Sequence, residues 1–413
     1  MVNALTDRMV RFIIAVVVVL NALSCHAIDL EEAIEKAVEN SSKIRSKFYE
    51  YKSNEKHLKS SGMAGFLPEV NLQYQFNEHF DLRERHIITL KHSIIDGGGS
   101  FAKFGKSQYL LKGEKAKLHR LKQQVILDAV KAYVNVLRKT EMLKLREHKE
   151  RTSLEHLSAM QKRFSLSEVT NTEVSLAKAK FSSSVSERVN AEGNLKLAKV
   201  AYRHLVGEEA DDLSEVDELF LPAIPELSEC LQLARTNNLS LKEITYQKKA
   251  AKKEVTFQQS EFLPSLNLIA DNKSSSGSVA DNKFNFNLTF VLDIPILKKG
   301  INSFGMSKAK MDVKKLTYAY HEAIKDVEQE VVNAWNNILT AKAMIKASQE
   351  AEKAAALALE GVEKEVSLNL KSTADLLETE DALFNSRSSL VEARSNYVTS
   401  VYKLLFIINN MSI

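Results

Sequence analysis

The sequence predicts a mainly α-helical chain with a small β part, built as two copies of one plan. Three observations predict it. Breakers are scarce: 413 residues hold only 13 Gly and 5 Pro, far below ordinary usage of about 7% and 5%, so the elements run long. The stretch "FLPEVNL" at Phe66–Leu72 returns as "FLPSLNL" at Phe262–Leu268, 196 residues later. Repeat arrays have periods of about 20–50 residues, so an interval near half the chain marks a duplicated half. Finally, helical patterning from about Phe101 to Phe164 implies a rod of about 95 Å at 1.5 Å per residue, too long for a compact globule.

The likeness between halves runs beyond the opening motif. "LEEAIEKAVENS" (Leu30–Ser41) matches "LSECLQLARTNN" (Leu227–Asn238), and "HSIIDGG" (His92–Gly98) matches "IPILKKG" (Ile294–Gly300). "DAVKAYVNVL" (Asp128–Leu137) matches "EVVNAWNNIL" (Glu330–Leu339). Each half then reads as a helix, a strand headed by FLP, a polar loop, a second strand, a turn, a very long helix, a short break and a further long helix. The expected first repeat is 28–207, with strands about 68–77 and 86–95 and a helical-hairpin tip about 165–171. The expected second repeat is 227–413, with strands about 264–272 and 283–293 and a tip about 367–372. Residues 208–226, acidic and holding two prolines, read as the linker or equatorial segment between them.

The first 27 residues read as a processing segment. Arg8 and Arg11 precede the apolar run Phe12–Leu20, and small residues lead to Ala27; this is the layout of a secretory signal peptide. The run is short of the ~20 residues of a spanning helix. "LSC" also hints at lipid modification of Cys25. With that segment removed Cys230 is the one remaining cysteine, so no internal disulfide framework is expected.

The strands alternate clearly. Val70, Leu72, Tyr74 and Phe76 are apolar between Asn71, Gln73, Gln75 and Asn77; Phe284, Phe286, Leu288, Phe290 and Leu292 alternate with Asn285, Asn287 and Thr289. Period two with one apolar face is a strand signal. Pro68 and Pro264 head their strands, the position where strands tolerate a missing N–H. In the helices, Val327, Val331, Ala334, Ile338, Ala341 and Ile345 step by four and three, with Val332, Trp335 and Leu339 beside them. Leu376, Leu383, Leu390, Tyr397 and Leu404 recur every seven residues beside a small-residue row, Thr379, Ser386, Ala393 and Ser400. Such a helix has two sticky sides and packs between neighbours, as in a wall.

Aromatic-rich alternating strands also occur in soluble sheets. Here they follow a secretory signal, sit between helices too long to cover a sheet, and have the ~9–11 residues of a tilted membrane strand. A sheet in lipid can have no free edge. Four strands per chain fall below the roughly eight at which single-chain barrels begin, so closure needs several chains. Two copies give a tight eight strands; three give twelve, the preferred reading.

This duplicated order resembles the TolC family of outer-membrane channel-tunnels. The likeness rests on the paired FLP strands, on "HSIIDGG" and "IPILKKG", and on two helix breaks, "KRFSLSEVTNTEVSLAKAKF" (Lys162–Phe181) and "KEVSLNLKSTADLLETEDALF" (Lys364–Phe384). The resemblance implies a homotrimer with a 12-stranded β-barrel in the outer membrane, in contact with its lipid, continuous with an α-helical barrel in the periplasm. It implies passive exit for drugs, toxins or secreted polypeptides. The implied partners are a periplasmic adaptor (membrane fusion protein) and an inner-membrane RND or ABC transporter.

The resemblance also makes the helix breaks the periplasmic entrance. Two acids three apart correspond to Asp375 and Glu378 and imply an acidic ring. Lys371, Thr172 and Glu173 correspond to groups that lock neighbouring hairpins by ion pairs and hydrogen bonds. Val366 stands where some members carry a locking tyrosine, and the usual tip glycine is absent, with Ser167 and Asn369 nearby. A plainer account competes, because Ser372-x-x-Asp375 and Thr170-x-x-Glu173 are both capping boxes.

No enzyme is expected. Ten histidines are scattered without metal-ligand spacing, and "DGGGSFAKFGK" (Asp96–Lys106) lacks the phosphate-loop pattern. No cofactor or metal follows. A net charge of +4 with signs mixed makes no case for nucleic acid. The alternative is an exported coiled-coil structural or adaptor protein of the cell envelope, which needs no lipid-facing strands.

Overall fold

A computed structural model describes residues 28–75, 84–216, 221–276, 285–296, 300–368 and 370–411. The expected signal peptide, Cys25, Phe76, Phe284 and Asn369 lie outside the described residues, as do most of both strand-connecting loops. In chain order the elements are α1 (Leu30–Asn40), α2 (Ser42–Met63), β1 (Glu69–Gln75), β2 (Glu84–Asp96), α3 (Gly99–Ser165) and α4 (Asn171–Val206). There follow α5 (Leu227–Asn237), α6 (Leu239–Ser260), β3 (Ser265–Ser276), β4 (Asn285–Asp293), α7 (Ile301–Ser367) and α8 (Thr373–Ile408).

The helices of the first half are 11, 22, 67 and 36 residues long, and those of the second half have the same four lengths. Differences between halves are confined to the strands and their connections. The breaks between short helices fall on capping residues: the Ser41 hydroxyl accepts from the Ile44 N–H, and the Asn238 side chain accepts from Ser240 and Leu241, satisfying donors that a helix start leaves orphaned. The turns from sheet into the two longest helices require a left-handed residue, supplied by Gly98 (φ 84°) and Gly300 (φ 75°), where a Cβ would be strained.

The four strands form one antiparallel sheet in the order β1-β2-β3-β4. Pro68 and Pro264 stand immediately before β1 and β3, so neither interrupts a ladder. Residues directly opposite share a face. Leu72, Ile88, Asn272 and Phe286 form one such row, and Val70, Leu90, Ala270 and Leu288 the next. The other face carries Asn71, Thr89, Asp271 and Asn287 in one row. One face is therefore mostly apolar and the other mostly polar, and the apolar one is bare: Leu72 is 70% exposed and Phe286 67%. No described helix is long and apolar enough to cross a membrane.

The helices pack side by side, with α3 and α7 running through both parts of the array. Near the sheet α2, α3, α6 and α7 lie side by side; farther away α4 packs on α3, α3 on α8 and α8 on α7. The expected stripe Val327, Val331, Ala334, Ile338, Ala341 and Ile345 is buried against Leu390, Tyr397, Val401 and Leu404. Each fully buried Leu or Ile contributes about 1.5–3 kcal/mol. The second expected stripe only borders this core: Val332 and Trp335 are half-buried and Leu339 is 46% exposed. A further cluster, Ile34, Ile126, Val130, Val134 and Val398, joins the two halves through α1, α3 and α8.

The segment after α4 is no loose linker. Ile28 forms a parallel bridge with Leu213, and Ala210 is buried in the first-half core. The buried Tyr133 hydroxyl lies 2.8 Å from the Ile28 carbonyl and 2.7 Å from the Ser214 carbonyl, and burial raises its pKa far above the phenol range. Tyr133→Phe should remove this donor, the Ile28 carbonyl keeping the Ser214 N–H at 3.1 Å, and cost about 0.5–1.5 kcal/mol. Thermal unfolding of the purified variant checks this; an unchanged midpoint would show that water replaces the hydroxyl.

Candidate functional site: the hairpin tips and the seam above them

Both long hairpins turn in the same way. Lys162 and Arg163 occupy the last turn of α3, where cations suit the helix dipole. The chain then reverses through a closure in which the Glu168 N–H donates to the Arg163 carbonyl at 2.9 Å. The second tip repeats it, the Leu370 N–H donating to the Glu365 carbonyl at 2.8 Å. This six-to-one bond is the Schellman closure, which needs a left-handed residue. In the first tip that residue is Ser167, φ 62°.

The following helices start on reciprocal caps. The Thr170 N–H and hydroxyl donate to Glu173 Oε2 at 2.7 and 3.0 Å, and the Glu173 N–H donates back to Thr170 Oγ1. The Ser372 N–H and hydroxyl donate to Asp375 Oδ2 at 3.0 and 2.7 Å, with the return bond from the Asp375 N–H. These bonds stabilise the charged carboxylates. The Thr170 N–H, then its hydroxyl, holds Glu173 below the usual carboxyl range; the Ser372 hydroxyl, then its N–H, does the same for Asp375.

The remaining expected site residues divide. Lys371 pairs with Glu365 of its own hairpin at 2.9 Å, which raises its pKa, while its charge also favours ionised Asp375. Glu378 and Thr172 are exposed. Asp375 and Glu173 therefore have a capping duty inside one chain, whereas Glu378 points into solvent at the tip.

Above the tips runs a polar seam between α3 and α8 that the sequence reading did not find. His156 Nε2 donates to Glu380 Oε1 at 2.8 Å. Lys149 lies 3.0 Å from Asp381, which Lys180 of α4 also contacts. Burial would raise the Asp381 pKa, but the two lysines outweigh it and lower it. Arg146 and Lys149 lie over the Phe384 ring at 4.3 and 4.7 Å, and the Ser388 hydroxyl meets Met142 sulfur at 3.7 Å. Met142, Lys149 and His156 recur every seven residues. That period was the available signal, but it does not say which helix they meet. Among the described residues no cluster of His, Cys, Asp or Glu is placed to hold a metal.

Comparisons with known proteins bear on the fold that carries these tips. The family model described as outer membrane efflux protein matches residues 230–410. The chain is 25% identical over 382 residues to outer membrane protein TolC of Vibrio cholerae, covering 86% of this chain and 84% of that protein. It is 22% identical over 410 residues to the alkaline protease secretion protein AprF of Pseudomonas aeruginosa, covering 92% of this chain and 84% of that one. Over residues 230–410, and across these relatives, the chain resembles the TolC family of outer-membrane efflux and secretion proteins. The fold agrees with the crystal structure of CusC, at 15% identity and a TM-score of 0.82 over 92% of this chain and 91% of that chain. The protein is an outer-membrane channel and not an enzyme.

Two outcomes follow. Glu380 raises the His156 pKa by hydrogen bonding to the charged form, against the opposing effect of burial. A raised folded-state pKa means that the pair's stabilisation is complete below the ordinary imidazole value near 6.5 and is lost as pH rises through the raised value. The difference in thermal midpoint between the natural protein and His156→Gln should therefore be largest near pH ~6 and shrink by pH ~9; a pH-independent difference counts against the pair. Ser167→Gly should relieve the left-handed strain and stabilise the first tip by up to about 1 kcal/mol, read as slower proteolysis between Ser165 and Thr170.

Proposed function

We propose that the chain works as a homotrimer, each copy giving four strands to a twelve-stranded barrel in the outer membrane and its helices to a tunnel across the periplasm. The observation that carries this is the sheet itself. It is an antiparallel meander with one bare apolar face, and its outer strands β1 and β4 have no further strand beside them among the described residues. In lipid those edges must pair, and three copies pair them all. Residues 28–207 and 227–413 are the two repeats of the tunnel wall, with 208–226 as an equatorial segment packed on it.

The exit path is passive: substrates enter at the hairpin tips and leave through the barrel. The family's efflux and secretion members support multidrug efflux or type I secretion. A periplasmic adaptor and an inner-membrane RND or ABC transporter supply the substrate and the energy. Asp375 and Glu378, from three copies, form an acidic ring at the entrance. Crowded like charges disfavour joint ionisation unless cations gather among them, so the ring is a cation-sensitive constriction. Lys371, Thr172 and Glu173 join hairpins across the closed entrance, and Pro68 and Pro264 start the membrane strands. A coiled-coil stalk or an adaptor leaves the apolar sheet face unexplained.

The purified protein should run as a trimer and conduct in planar bilayers; a monomer without conductance sinks the reading. Divalent cations should block the channel, and Asp375→Ala/Glu378→Ala should weaken that block at least roughly tenfold, as expected on removing paired close charges. Unchanged block assigns Asp375 to capping alone.

A further inference from the structure

The first turns of the two 67-residue helices repeat an arrangement that transport through the lumen does not use. Each begins with bare apolar side chains, Phe101 and Phe104 on α3, Ile301 and Phe304 on α7; Phe101 is 71% and Phe304 77% exposed. Lysines follow: Lys103, Lys106, Lys112, Lys115 and Lys117 on α3, and Lys308, Lys310, Lys314 and Lys315 on α7. Between Gly99 and Arg120 the one acid is Glu114, and between Ile301 and Tyr320 it is Asp312. The whole chain carries only +4, so this excess is local.

The lysines of α3 separate by face. Lys103 lies over the Phe257 ring at 4.3 Å, Lys106 reaches Glu254 at 2.8 Å and Lys117 approaches Glu243 at 3.8 Å, all on α6. Ser100 and Ser107 meet Gly65 and Gly62 on the α2 side. Phe101, Phe104, Lys112, Lys115 and Lys122 fall within one stripe of about 80° at 3.6 residues per turn, between those two contacts. Phe66, at the entry to β1, stacks edge-on against Phe101 at 5.1 Å and Phe104 at 6.2 Å. Exposed aromatics at the end of a membrane sheet belong at the lipid boundary rather than in a wet lumen, so the stripe that carries them faces lipid. On α7 the exposed Ile301, Phe304, Lys308 and Lys315 fall within one stripe of about 60°. Lys308 lies roughly 10 Å and Lys112 roughly 20 Å from their helix starts. Helical side chains lean toward the N-terminus, here toward the sheet, and lysine stems lie along apolar surface with the charge at the polar layer.

We propose that these stripes on α3 and α7 form a lysine collar that binds the phosphate headgroups of anionic phospholipids in the leaflet facing the helical layer. The collar rests on the reading of the sheet as the membrane part. Its ligand is a phosphodiester lipid, the partner whose charge complements the lysines and whose acyl chains continue the apolar face beside Phe101 and Phe304. Lys103 and Lys106, turned to α6, stay outside it.

The test is flotation of the purified full-length protein with mixed phosphatidylcholine–phosphatidylglycerol vesicles against pure phosphatidylcholine vesicles. The natural protein should prefer the anionic vesicles, and salt should weaken the preference. The quadruple variant Lys112→Gln/Lys115→Gln/Lys308→Gln/Lys315→Gln should lose at least roughly tenfold of it, given about tenfold for one or two lysines near an anionic surface. The same four positions changed to Arg should restore it, which separates lost charge from lost folding, as does an unchanged helical circular dichroism spectrum. Equal flotation with both vesicles, or an unaltered preference in the Gln variant, overturns the collar. So does binding of dextran sulfate that needs these lysines without any lipid preference, because it assigns them to a polyanion in the tunnel. Conductance in neutral bilayers is read separately: a channel without headgroup preference fails the collar alone, and a collar without conductance fails the channel reading alone.

Discussion

The backbone hydrogen bonds at the two edges of one four-stranded sheet constrain everything else. β2 and β3 are paired on both sides, while β1 and β4 are paired on one. Water satisfies such an edge; hydrocarbon does not, and each orphan group there costs several kcal/mol. Under the channel reading the sheet's apolar face has hydrocarbon as its solvent. The edges then need other chains, and a shared symmetric barrel gives each strand the same surroundings in every copy.

Duplication then sets the shape of the wall. Matching helix lengths in the two halves bring both strand hairpins to one end and both tips to the other, which lets β2 of one half pair with β3 of the other over Glu84–Asp96. Among the described elements the two halves differ in length only in the strands and their connections, where no long helix has to stay in register. The segment after α4 had to do more than connect. Its bridge from Leu213 to Ile28, with the hydroxyl of Tyr133 reaching both strands of that bridge, fixes the middle of the wall.

At the tips one side chain serves two ends. Asp375 caps α8 and, under the channel reading, also lines the entrance. The bonds that hold its carboxylate ionised keep its charge fixed while Glu378 stays free of them. The seam of Lys149, His156, Glu380, Asp381 and Phe384 holds the two hairpins together above that point, mixing ion pairs with a ring that Arg146 and Lys149 cover. Its partial burial leaves the groups sensitive to protonation, whereas the surface pairs along the outer helices are screened and worth little.

The sequence by itself determined the parts that depend on local chemistry. Period-two alternation at Val70–Tyr74 and at Phe286–Leu292 marks strands, because a pleated chain shows alternate residues to one side. The stripe Val327–Ile345 marks a buried helix face, and Ser372-x-x-Asp375 and Thr170-x-x-Glu173 mark helix starts. Composition and duplication gave the long helices and the two-half plan. The tertiary structure alone decided whom each face meets. The sequence shows Lys149 and His156 at heptad spacing, yet only packing brings α8 against them; it shows Lys371 four residues before Asp375, yet the folded turn hands Lys371 to Glu365. Leu339 continues an apolar stripe in sequence and ends half-exposed, because the neighbour that buries Ile338 lies on one side only. Local periodicity specifies which residues share a face, and long-range contacts between elements far apart in the chain specify what that face is for.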